Sequence, residues 1–303
     1  MCRWFMLWVL VGAGLPLFAQ EPQNTPRTAF RANAELVLVP VTVLDRQGGL
    51  VNGLRADSFR VFDDRISERI FAFSEQDVPA SIGVILDMSG SMKGTLSQAK
   101  FALRSFLDTA NPEDEAFLYS VSSRPNRNTG FTMGVDTLLS AVALSGAGGS
   151  TALVDTIYCG LDTMRSAHQA RKALLIVSDG MDNHSRYSKT ELLERALESD
   201  VQIYTIAINS AAAYEKPIQL QEERQGLSLL EDLAVKTGGL HFVVRDSEDI
   251  GRAATSISRA IRNEYTIAYV PANTNHDGRW HSIQVKLGVP GLRVYARSGY
   301  YAQ

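Results

Sequence analysis

The sequence predicts an α/β protein: a mainly parallel sheet flanked by helices, joined to a small β-sandwich-like domain built from the two ends of the chain. Through the middle of the chain, short apolar runs alternate with amphipathic helical stripes, the pattern of a parallel sheet covered on both faces. Before and after this region, apolar residues alternate with a period of two, which marks half-buried strands. The chain has 303 residues, 45% hydrophobic and 21% charged, so it can bury a core without disulfides to hold it.

Residues 1–19 have a character of their own. Arg3 precedes an uncharged apolar stretch from Trp4 to Phe18, and Leu17-Phe18-Ala19 resembles a signal-peptidase site. The reading is a signal peptide cleaved after Ala19, which implies a secreted, periplasmic or cell-envelope protein; a retained membrane anchor is the alternative. The stretch is short for a bilayer span, and no later segment is long and apolar enough for one. Cys2 would leave with the signal, so Cys159 would be the sole cysteine and no internal disulfide could form. Cys159 lies among Leu153, Ile157, Leu161 and Met164 and reads as packing.

Residues 20–33 are polar and read as a linker, and residues 34–78 as an N-terminal β segment. Val37, Val39, Val41 and Val43 alternate along Leu36 to Leu44, turn chemistry occupies Asp45 to Gly49, and Phe59 to Phe62 is a second strand. The acidic pair Asp63-Asp64 reads as a solvated hairpin tip rather than a metal site. Residues 79–262 form the central domain. Strands are expected at Ile82 to Leu86, Ala116 to Val121, Ala173 to Val177, Val201 to Ile208 and Leu240 to Val244. Helical stripes lie between them, at Thr95 to Ala110 and Leu153 to Met164, for example. Capping boxes at Ser188 to Glu191 and Ser228 to Glu231 open two more helices, the second closing at Gly238-Gly239, and a last helix runs through Ile261. Asn209 to Gln225 reads as a long loop, a candidate specificity surface. Residues 263–303 return to strands, at Tyr265 to Val270, Ser282 to Leu287 and Leu292 to Arg297, and are expected to pack with 34–78.

With a net charge of −3 and scattered basic residues, the chain lacks the concentrated positive face that nucleic acid requires. Its chemistry gathers elsewhere. Asp87-Met88-Ser89-Gly90-Ser91 follows the strand Ile82 to Leu86, Asp179 follows Ala173 to Val177, and Thr151 follows the flexible Gly146 to Gly149. In a parallel sheet these loops share one rim, at the carboxyl ends of the strands, where ligands bind. Carboxylate and hydroxyl oxygens suit a hard cation, and the set contains no His or Cys to favour zinc. The competing reading is that Asp87 and Ser89 only cap a helix.

Asp87-x-Ser89-x-Ser91, Thr151 in Gly-Gly-Ser-Thr and Asp179 in Ser-Asp-Gly together resemble the metal-ion-dependent adhesion site of von Willebrand factor A (VWA) domains. The resemblance spans about Ser81 to Ile261 and implies a Rossmann-like fold. It also implies a metal held by Asp87, Ser89, Ser91, Thr151 and Asp179, with Mg²⁺ first and Mn²⁺ or Ca²⁺ as alternatives. The ligand it implies is a protein that supplies an acidic residue to the metal. Ser150 stands where a tighter Gly-Gly-Thr is commoner in the family. The flanks, including Asp57-Ser58-Phe59 and Gly299-Tyr300-Tyr301, are similar to the VWFA-related proteins of secreted bacterial type.

No Walker A, HExxH or GxSxG pattern occurs. Ser97-x-x-Lys100 falls inside an amphipathic helix without companion motifs, Asp182 reads as a solvated loop residue, and His184 as a spectator on the loop after Asp179. The expectation is therefore a binding module and not an enzyme. A structural or assembly component of the cell envelope that uses its β-sandwich, with the metal as a fold stabiliser, is the alternative; a metal-assisted hydrolase ranks third.

Overall fold

The computed structural model describes residues 36–208, 217–273, 275 and 277–302, with the backbone alone at 217–220. The signal segment, the linker and His276 lie outside them, as does the first part of the 209–225 loop. The alternating valines form β1 (Val37–Leu44), with Val39, Val41 and Val43 buried. The next strands are β2 (Phe59–Asp63), β3 (Ile66–Glu68) and β4 (Ile70–Glu75).

The central region runs β5 (Ala80–Asp87), α1 (Leu96–Leu107), β6 (Glu115–Val121), β7 (Asn126–Thr132), α2 (Val135–Ala143) and α3 (Leu153–Thr163). It continues with β8 (Arg171–Ser178), α4 (Lys189–Glu198), β9 (Gln202–Ile208), α5 (Pro217–Thr237), β10 (His241–Val244) and α6 (Ser247–Arg262). The chain then returns to strands: β11 (Tyr265–Tyr269), β12 (Trp280–Leu287), β13 (Arg293–Ala296) and β14 (Gly299–Tyr301).

The central strands form a six-stranded sheet in the order β10-β9-β8-β5-β6-β7, parallel except for β7 at one edge. Every residue of β5 is buried, as expected of a strand with helices on both faces. Leu103, Leu138 and Ile257 bring α1, α2 and α6 onto one face. Ile157, Leu192 and Leu230 bring α3, α4 and α5 onto the other. From β5 the chain first adds β6 on one side, then returns to add β8 on the other. The strand order therefore reverses at β5, which opens a crevice at the carboxyl ends of β5 and β8.

The terminal strands make two four-stranded antiparallel sheets, β13-β1-β11-β4 and β14-β12-β2-β3. Val39, Phe59, Val61, Tyr265, Ile267 and Ile283 share their core, so neither end of the chain buries its apolar face without the other.

The capping box expected at Ser188 is met: Ser188 and Glu191 cap α4 reciprocally. The Asp246 side chain accepts from Asp249 N at 2.8 Å to open α6. Other expectations are corrected. Residues 217–225, read as loop, are the first turns of α5, and Ser228 lies inside that helix rather than at its start. The stretch misled because it is polar and broken by Gly226, whereas Pro217 at the first helical position needs no N–H partner. β4, β7 and α2 were not foreseen: the two strands are edge elements with little buried face. Among the described residues, no helix is long and apolar enough to cross a membrane.

Candidate metal centre

Asp87 is the last residue of β5, and Ser178 is the last residue of β8, its parallel neighbour, where Leu86 pairs with Val177. Asp179 follows directly. Ser89 and Ser91 begin the 3-10 turn Gly90–Gly94 that leads into α1, and Thr151 precedes α3. Asp87, Ser89, Thr151 and Asp179 are all buried, and Ser91 is partly exposed.

Backbone bonds stitch the three loops together. Gly90 N donates to Gly149 O at 3.0 Å, and Gly148 N donates to Met88 O at 3.0 Å. A Cβ on Gly90 would lie 2.9 Å from Gly149 O, so only glycine allows this approach. The backbone of Asn183 and His184, on the loop after Asp179, donates to Thr151 O at 3.0 Å each. Asn183 Oδ1 accepts from Thr151 N at 2.9 Å. Thr151 is thereby fixed to the Asp179 loop despite the extra Ser150, whose own N–H goes to Ser123 Oγ.

The side chains continue the network. Ser89 N donates to Asp87 Oδ1 at 3.0 Å, Ser89 Oγ and Ser91 Oγ share a bond of 2.9 Å, and Met181 N donates to Asp179 Oδ1 at 3.0 Å. Ser89 makes no side-chain capping bond to the following turn, whereas Asp87 accepts the Ser89 N–H ahead of it.

Sequence reasoning missed three features. Ser178 donates its hydroxyl to Asp87 Oδ2 at 2.5 Å and accepts from Gly180 N at 2.9 Å, so it orients the carboxylate. A serine at a strand's last position, beside an acid ending the next strand, is the signal that could have found it. Glu223 on α5 is a further buried acid, and its Oε1 has no hydrogen-bond partner. Burial, and then the charge of Asp179, push its carboxyl up. Finally, α5 packs directly on the Asp179 loop: a Cβ on Gly226 would stand 1.9 Å from Gly180 O, and Gly180 itself has φ +81°. These contacts were invisible while 209–225 was read as loop.

Asp182 is not a solvated bystander: its Oδ1 accepts from Val154 N and Ser185 Oγ and so anchors the start of α3. Lys100 donates to the carbonyls of Ala143 and Ser145, a structural role that accounts for it without acyl-transfer chemistry. Cys159 is half-buried, and burial followed by the charges of Asp155 and Asp162 pushes its thiol up, away from a reactive thiolate.

The donor set comprises two buried carboxylates and three hydroxyls, with no nitrogen or sulfur. Burial first, then the charge of Asp179, push Asp87 up to about 7. Hydroxyls and a backbone amide, which carry no countercharge, are what meet it. An all-oxygen donor set of this kind has the chemistry that suits a hard divalent cation.

Comparison with known proteins agrees with this architecture. Residues 82–181 match the family model described as von Willebrand factor type A domain. Among curated proteins, none matches the sequence. A solved structure described as von Willebrand factor type A from Catenulispora acidiphila superposes over 89% of this chain and 75% of its own, at 12% identity and a TM-score of 0.51. The corresponding domain of the type V pili tip protein Mfa5 from Porphyromonas gingivalis covers 61% of this chain and 95% of its own, at 13% identity and a TM-score of 0.49. Proximal thread matrix protein 1 from the mussel byssus, solved with a zinc-occupied MIDAS motif, covers 65% of this chain and 48% of its own, at 14% identity and a TM-score of 0.48. At 12% identity the likeness to the Catenulispora acidiphila structure is one of fold. Residues 82–181 thus match the von Willebrand factor type A domain model, and the central α/β region, with its strand order reversing at β5, resembles such domains in fold.

Proposed function

We propose that the chain is a metal-dependent protein-binding module, secreted or held in the cell envelope, that works by binding and not by catalysis. Asp87, Ser89, Ser91, Thr151 and Asp179 would hold the cation, with Ser178 orienting Asp87. Mg²⁺ is the favoured ion because the donors are all oxygen and the loops are fixed by backbone bonds. A bound ion supplies an electron-poor coordination position that a carboxylate oxygen of a partner protein can fill. The observation that carries the reading is the pair of buried carboxylates, Asp87 and Asp179, side by side where the strand order reverses, with Asp87 met by the Ser178 hydroxyl and the Ser89 amide.

Calorimetric titration with Mg²⁺, Mn²⁺ and Ca²⁺ tests it, with wild type and Asp87→Ala side by side. One cation bound by the wild type and lost in the variant is the expected result. It would justify a search for acidic partners captured in Mg²⁺ and released by EDTA. Failure of the wild type to bind any of the three removes the metal-dependent reading altogether.

A further inference from the structure

A second cluster lies outside the α/β domain, in the β-sandwich. β2 and β3 are joined by Asp64 and Arg65, with φ 46° and 69°, the doubly left-handed backbone of a type I′ hairpin turn. The hairpin tip is therefore as expected, but it is only half solvated: Asp63 is 4% exposed, while Asp64 is exposed. His281, 218 residues after Asp63 and on β12, faces them and is 3% exposed.

Each group has one side fixed and the other turned inward. Asp63 Oδ2 accepts from Tyr269 Oη at 2.8 Å and from Tyr300 Oη at 2.9 Å. Asp64 Oδ1 accepts from Ser282 N at 2.9 Å and from Ser282 Oγ at 3.1 Å. The opposite oxygens face one ring nitrogen: His281 Nδ1 is 3.8 Å from Asp63 Oδ1 and 3.1 Å from Asp64 Oδ2. Donor atoms of the three residues all lie within 4.8 Å of one another. His281 stacks on Tyr300, with ring centroids 5.3 Å apart, which holds its plane.

The decisive feature is that His281 Nδ1 is buried and makes no hydrogen bond. A buried ring nitrogen that makes no hydrogen bond is costly, and here it lies close to two carboxylate oxygens whose carboxyl groups are already anchored on their far sides. Anchoring of that kind is how outer hydrogen bonds fix ligating carboxylates in metal sites. Tetrahedral zinc with N and O ligands at about 2.0–2.1 Å sets its donors about 3.3 Å apart, between the two separations observed.

We propose that Asp63, Asp64 and His281 form a second metal site, for Zn²⁺ or a transition ion of similar chemistry, with His281 Nδ1 and one oxygen from each aspartate as ligands. The mixed nitrogen and carboxylate donors separate it chemically from the all-oxygen rim of the α/β domain. Exposed Asp64 keeps one side of the site open to solvent. Because Asp63 and His281 come from opposite ends of the chain, an ion held there would clip the N- and C-terminal strands together, and binding would register as thermal stability.

The experiment uses the chain carrying Asp87→Ala, so that the α/β rim contributes no binding, and titrates it with Zn²⁺ by calorimetry alongside thermal melts. Asp64→Asn is the test substitution. Asn tolerates positive φ, and its Oδ1 can still accept both Ser282 bonds, so the hairpin stays intact while the ligand oxygen facing His281 becomes an amide nitrogen. One Zn²⁺ bound, with a raised Tm, is expected in the Asp87→Ala chain. Asp64→Asn should weaken binding by at least the ~10–100-fold that even an outer hydrogen-bond change causes, and should abolish the Tm rise. His281→Gln should do the same, and circular dichroism of each variant without metal establishes that it is folded. Absence of Zn²⁺ binding in the Asp87→Ala chain, or unchanged binding in the folded Asp64→Asn variant, overturns the proposal.

Discussion

Buried acids at the amino ends of the parallel sheet and Asp87 at the carboxyl end are met in different ways. At the amino ends of the strands, two such acids are each met by an arginine and a third by a histidine ring. Glu264, 3% exposed, pairs with Arg171 at 2.7 Å. Asp114 pairs with Arg262 at 3.0 Å while also accepting from Ala80 N. Glu115 takes His168 at 2.8 Å. At the carboxyl ends, Asp87 is equally buried, yet Ser178 and Ser89 are what touch it. Both ends are hydrogen-bonded. Asp114 and Glu264 are neutralised by arginines of the chain itself, whereas the described partners of Asp87 are uncharged.

The comparison can be broken by substitution. The largest effect on stability is expected at the paired end: Glu264→Ala strands the Arg171 guanidinium in the interior and should cost about 3–5 kcal/mol in chemical denaturation, with cation affinity at the rim unchanged. Comparable losses for Asp87→Asn in EDTA would erase the distinction.

The second prediction concerns pH. Burial and Asp179 raise the folded-state pKa of Asp87 from 3.8 to about 7. Its contribution to stability is therefore complete below the unfolded value and is lost as pH rises from about 4 through 7. In EDTA that loss should reach at most ~4 kcal/mol. Asp87→Asn should lack it, and saturating Mg²⁺ should suppress it in the wild type. Urea titrations across this pH window, with wild type and variant compared, check the sign.

A smaller effect belongs to Glu223. Its buried carboxyl lies within the field of Asp179, so Glu223→Gln should weaken cation binding about tenfold, equivalent to ~1.4 kcal/mol, as read by calorimetry. Unaltered affinity would make Glu223 a packing residue of α5 only. The smallest effect is His168→Ala: the His168 side chain is 77% exposed, so removing it should cost under about 1 kcal/mol, and a larger loss would mean the pair is better shielded than its exposure suggests.

What the sequence made legible follows from local rules. The continuous apolar run of β5, the valine alternation of β1 and the capping box at Ser188 each state their structure within a few residues, because burial on one or both faces and orphan helix N–H groups impose short-range patterns. Ordered strand–loop–helix signals likewise placed Asp87, Ser89, Ser91, Thr151 and Asp179 on one rim before any coordinates. Elements without a strong buried face, such as β7 with its polar Asn126–Thr132, left no such trace.

Long-range packing decided the rest. α5 packs on the Asp179 loop because Gly226 can lie against the Gly180 carbonyl, a contact between residues far apart in sequence that no local pattern encodes. Ser178 became a partner of Asp87 only through the parallel pairing of β5 with β8. Asp63, Asp64 and His281 met because β2 pairs with β12, which joins the two ends of the chain. Periodicity and capping depend on neighbours a few residues away and are written in the sequence. Which side chains share a buried charge or an open ring nitrogen depends on strand register across the whole chain, and the tertiary structure alone supplies it.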